Sequence, residues 1–79
     1  MKHREGYKGY VIEVRIHELK DRRFSAEFTL EEHDGSGVTE TLFFMPEPFP
    51  TEEAALNAAV QAGRSKIDAG FVPSPSNVL

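Results

Sequence analysis

The side chains able to do chemistry in this chain are few, and their spacing limits what they can do. His3, His17 and His33 are the only imidazoles. No HxH, HxxxH or HExxH spacing joins them, so a zinc site would need distant ligands to converge, and surface histidines are the plainer reading. Cysteine is absent, which excludes thiolate metal sites, cysteine nucleophiles and disulfide staples together. Glu31, Glu32, Asp34 and Ser36 form an acidic loop of the kind that suggests calcium. An EF-hand loop needs oxygen ligands at positions 1, 3 and 5, then a glycine and a glutamate at position 12. That spacing fails here, and an ordinary hairpin turn is favoured. The glycines of Asp34-Gly35-Ser36-Gly37 make no phosphate loop, because no Lys-Ser/Thr pair or helix follows and neighbouring acids would repel an anion. Glu13 and Glu27 fall on neighbouring strands, yet paired carboxylates serve acid–base catalysis only where burial raises one pKa. Beside Arg15 on an open sheet they read as surface charges. Ser25, Ser36 and Ser65 have no base in a nucleophile arrangement. The sequence therefore assigns no catalytic, cofactor-binding or metal-binding residue and no small-molecule ligand, and an enzyme is not expected.

Length and composition bound what remains. Seventy-nine residues without cysteine make one small domain, 1–79, with an ordered core expected over about 7–70 and flexible termini at 1–5 and 72–79. A chain of this size buries only about 60% of its unfolded surface, so association with a partner would add to a thin margin. No run approaches the roughly 18 apolar residues of a membrane span, and no basic-then-apolar leader opens the chain, so a cytoplasmic protein is expected. The net charge is −4, which argues against a general nucleic-acid binder. The charge is uneven: residues 1–24 hold seven Lys/Arg against four acids, and 25–63 hold eight acids and no Lys or Arg.

The elements that must position these side chains are dominated by one helix, Thr51 to Asp68. Thr51 offers an N-cap hydroxyl after Phe49-Pro50, and Glu52 and Glu53 place negative charge in the first turn. Arg64 and Lys66 occupy the last turns, and Gly70 suits a left-handed C-terminal residue. Leu56, Val60, Gly63 and Ile67 recur at helical spacing, flanked by Ala55, Ala59 and Ala62, and define a buried stripe of small volume. A glycine mid-helix costs about 1 kcal/mol against alanine. Gly63 therefore predicts a close approach, with Phe24, Phe28 or Tyr10 laid against the backbone.

Ahead of the helix the period is that of strands. Tyr10, Ile12, Val14 and Ile16 alternate with Val11, Glu13, Arg15 and His17. After the charged turn of residues 18–23, Phe24, Ala26, Phe28 and Leu30 alternate again, and the two runs predict an antiparallel hairpin. A third strand, Val38 to Met45, has two registers. Either Thr39, Thr41, Phe43 and Met45 face the helix, or Val38, Leu42 and Phe44 do so around Glu40. Because threonines suit an exposed face, Leu42 and Phe44 are placed inward and Phe43 on the open face. Pro46, Pro48 and Pro50 stiffen the crossing into the helix, and Phe49 should fold over the end of the core. The expected architecture is α+β, a three-stranded antiparallel meander with one C-terminal helix across one face, in the order β-β-β-α.

The Gly-Tyr before the first strand and the Pro48–Asp68 stretch, PFPTEEAALNAA…GRSKID, resemble a small family of uncharacterised bacterial proteins, mostly proteobacterial. That resemblance implies a single β-β-β-α domain and carries no activity, cofactor or catalytic residue. The architecture is also similar to three-stranded DNA-binding modules of plant transcription factors and integrase arm domains, and architecture does not transmit function. Lys2, Arg4, Lys8, Arg15, Lys20, Arg22 and Arg23, with Tyr7 and Tyr10 between them, give nucleic-acid binding its one foothold. Glu13, Glu27 and Glu40 stand against it on the same sheet. The favoured reading is a non-catalytic protein-interaction or regulatory module, with a protein partner or a homodimer, whose surface is the open sheet face bearing Val11, Arg15, His17 and Phe43.

Overall fold

The computed structural model describes residues 1–35 and 37–71. The expectations for Ser36 and for the 72–79 tail lie outside these residues. Four strands form one antiparallel sheet in chain order: β1 (Lys2–Tyr7), β2 (Tyr10–Glu18), β3 (Phe24–Asp34) and β4 (Gly37–Phe44), followed by a single helix, α1 (Glu52–Asp68). The α+β class and the C-terminal helix are as the sequence implies; the strand count is not.

The additional strand is β1, in the segment expected to lie outside the ordered core. Its six residues, KHREGY, hold no aliphatic side chain, so no hydrophobic period marks them. The turn that folds β1 onto β2 is Lys8-Gly9, with φ of 51° and 88°. Two consecutive positive φ values at a two-residue loop define the hairpin whose twist matches that of its strands. Tyr7 pairs with Tyr10 across it, and the register runs back to Lys2 opposite Arg15.

The core forms where expected. Ile12, Val14 and Ile16 of β2 and Ala26, Phe28 and Leu30 of β3 are buried together with Ala55, Ala59, Val60 and Ile67 of α1. The helix ends are built from their sequence signals. The Thr51 hydroxyl accepts the Ala54 N–H at 3.0 Å. At the other end Gly70, with φ of 87°, donates to Ile67 and Phe71 donates to Lys66, the paired closure that a left-handed glycine permits. Phe49 is pinned to the start of β3 by two backbone bonds with Phe24, each 2.8 Å, and packs against the core.

Gly63 lies on the buried face of α1, and its neighbour is an aliphatic side chain, not the aromatic ring expected. A Cβ at position 63 would stand 3.1 Å from Cγ2 and 3.3 Å from Cδ1 of Ile12. Ile12, on an inner strand of the sheet, meets the helix more directly than the flanking rings do. For Gly63→Ala, the gain of about 1 kcal/mol in helix propensity is offset by this tight contact, and the net change should be small. Gly63→Leu should overpack the same contact and lose about 1–3 kcal/mol in chemical denaturation. A higher melting temperature for the leucine variant would show that α1 does not lie this close to Ile12.

Candidate interaction surface on the open sheet face

The face of the sheet away from α1 carries Lys2 and Arg4 on β1 and Val11, Glu13, Arg15 and His17 on β2. It continues through Glu27, Thr29 and Glu31 on β3 to Val38, Glu40, Leu42 and Phe44 on β4. Val11, Arg15 and His17 thus stand on the face the sequence assigns them. Val11 is half-buried opposite Glu31, and His17 is exposed with Nε2 4.0 Å from Glu27.

Phe43 does not belong to this face. Its ring stacks on Phe28 at 5.1 Å between centroids, meets Phe71 edge-on at 5.8 Å and lies under the Lys66 ammonium at 4.5 Å. The register of β4 is therefore the reverse of the preferred one, and Leu42 and Phe44 point away from the helix. The cause is the pairing of Phe43 with Phe28, which brings one aromatic side chain against another at the border of the core. Thr39 and Thr41 share the helix side without being buried, because α1 packs on β2 and β3. At an edge the helix does not cover, a threonine stays wet on either face. Apart from Glu40, what emerges from β4 on the open face is apolar: Val38 is 53% exposed, Leu42 46% and Phe44 69%.

Beside this strip lies a lattice of charge. Glu13 and Glu31 are buried to 5% and 6% exposure with no helix above them; the covering is supplied by cations. Arg4 reaches across two strands, its Nη1 donating to Glu13 at 2.6 Å and to Glu31 at 3.1 Å. Arg15 stands 3.0 Å from Glu13 and 3.5 Å from Glu27, and Lys2 is 3.6 Å from Glu13. The Arg4 hydrogen bond is the main cause that holds the Glu31 carboxyl below its ordinary value of 4.5, against the upward push of burial. A carboxyl held low is a poor proton donor at neutral pH, and Glu31 with its Arg4 partner ties the first strand to the third.

Elsewhere the helix side of β1 is tied to α1. Glu5 accepts from Arg64 at 2.6 Å, and Asp68 accepts from Lys8 at 2.7 Å and from the Tyr7 hydroxyl at 3.0 Å. A cleft of about 270 Å³ runs along this seam, lined by His3, Glu5, Asn57, Gln61 and Arg64 among others. Its charged groups are already paired with one another. Among the described residues no cluster of three or more His, Asp or Glu is arranged to hold a metal ion, and no helix is long and apolar enough to cross a membrane.

The sequence reading named Lys2 and Arg4 only as part of a basic run, not as partners of buried glutamates, and preferred the register that turns Leu42 and Phe44 inward. The signals were the Lys-Gly turn between two tyrosines, which demands a strand before it, and the aromatic partner Phe43 needs inside. Compared with protein-family models, curated proteins and solved structures, the chain matches none.

The lattice makes a pH prediction. Because the folded-state pKa of Glu31 is lowered, its contribution to stability is complete above about 4.5 and is lost as pH falls through the lowered value. Arg4→Gln should raise the Glu31 midpoint, followed by carboxyl-carbon NMR, and move acid unfolding to higher pH. An unchanged Glu31 titration would show that Arg4 does not hold it.

Proposed function

We propose that this chain is a non-catalytic protein-interaction module that works through the open face of its sheet. The observation that carries this reading is the strip of Val38, Leu42 and Phe44, three large apolar side chains on one wet face of an edge strand. A scattered exposed leucine needs no explanation, whereas Leu42 and Phe44 adjoin on this face, with Val38 beyond Glu40, along a strand whose outer backbone has no partner among the described residues. The adjoining ion pairs supply a polar rim of the kind that surrounds the apolar centre of an interface. The nucleic-acid reading is less well supported. Lys2, Arg4 and Arg15 are each engaged by Glu13, Glu27 or Glu31, which leaves little of their charge for a phosphate backbone.

A photo-crosslinking amino acid in place of Phe44 should give discrete covalent protein adducts in the source cells. The same group in place of Glu53, exposed on the first turn of α1, should give none. Absence of adducts from position 44 would remove the interaction reading.

A further inference from the structure

Resting on that reading, we infer that the partner is a second copy of this chain, joined by antiparallel pairing of β4 with β4 about a two-fold axis at Thr41. The two edges of the sheet are unequal. β1 presents Lys2 and Arg4 on one face and His3 and Glu5 on the other, and their pairing with Glu13, Glu31 and Arg64 holds them there. Charge on both faces is how an edge is closed to further strands. β4, GVTETLFF, has eight residues, no proline, no cation and the single charge of Glu40. Among the described residues it is the open edge.

The direction of its backbone follows from one bond. Met45 donates to Ala26 at 3.0 Å, so the odd-numbered residues of β4 turn their N–H and C=O towards β3. Val38, Glu40, Leu42 and Phe44 turn theirs outward, and these are the residues whose side chains lie on the open face. Two-fold pairing must then set even residues opposite even residues. An axis at Glu40 would oppose that carboxylate to its own copy. An axis at Leu42 would set Val38 against Pro46, which has no N–H to give. An axis at Thr41 pairs Val38 with Phe44 and Glu40 with Leu42, each twice, uses the whole strand and opposes no like charges. The strand is self-complementary in one register, which is what an isologous interface requires. The four-stranded sheet becomes continuous across two molecules. Only one edge strand per molecule takes part, so the dimer is weak and concentration-dependent.

The test uses the full chain. Light scattering should show a monomer near 10 µM and a mass approaching double near 1 mM, as a small interface dictates. Leu42→Lys should abolish the rise. Since the chain has no cysteine, Thr41→Cys introduces a single thiol on the axis, where facing α-carbons of a non-hydrogen-bonded pair lie about 4.5 Å apart. Its oxidation to a disulfide dimer should be at least about ten-fold faster than that of Thr39→Cys, whose copies are held apart. A doubled mass with Thr39→Cys crosslinking as fast as Thr41→Cys would overturn this register. A monomer throughout, with position 44 crosslinking to a different protein, would overturn the second copy and leave the interaction reading standing. A monomer with no adducts would end both.

Discussion

The contact between Ile12 and the backbone of α1 at Gly63 sets the terms for everything else in this fold. A helix whose buried face is alanine, glycine, valine and isoleucine can stabilise a sheet only by lying close to it. The bulk must then rise from below, and it does so from Ile12, Val14, Phe28 and Leu30, the largest fully buried side chains. One helix at such short range covers two strands. β2 and β3 therefore have a conventional core, and the outer strands are secured by other means.

Those means differ, and the difference gives the molecule its polarity. β1 has no aliphatic side chain to bury and is held electrostatically on both faces, by Arg4 and Lys2 over Glu13 and Glu31 and by Glu5 and Tyr7 against the last turns of α1. Burying Glu13 and Glu31 is costly unless cations complete them, so the central strands need β1 as much as β1 needs them. β4 is held by its ladder with β3 and by Phe43, which stacks on Phe28 and meets Phe71 and Lys66, while Val38, Leu42 and Phe44 are left outside. Among the described residues one edge is thus closed by charge and the other is open and, apart from Glu40, apolar.

The elements with a hydrophobic period were legible before any coordinates. The helix, its cap, its buried stripe and the pairing of β2 with β3 all follow from residue spacing, because burial is what imposes that spacing. β1 escaped because ion pairs leave no period of 2.0 or 3.6 to detect; only the Lys8-Gly9 turn hints at it. β4 was read in the wrong register because the preference of threonine for solvent assumes a helix above the other face, and α1 does not extend that far. Val11, Arg15 and His17 were placed on the open face because β2 is central and its register is over-determined. Phe43 was misplaced because both alternating sets of β4 carry large apolar side chains, so spacing alone does not choose between them. The neighbour of Gly63 was also misjudged, since spacing identifies a close approach without naming what approaches.

Strand order has a further consequence, for the way the chain reaches this state. Each strand pairs only with its neighbour in sequence, so the whole sheet can be assembled by successive short hairpins without closing a long loop. The bonds between Tyr7 and Asp68 and between Tyr10 and Phe71 instead join residues 61 positions apart. Nearly all of the loop-closure entropy therefore falls on one event, the docking of the helix onto β2 and β3. Until it occurs the meander stands with Ile12, Phe28 and Leu30 uncovered, and the speed of that docking sets how long these side chains are open to contact with another chain.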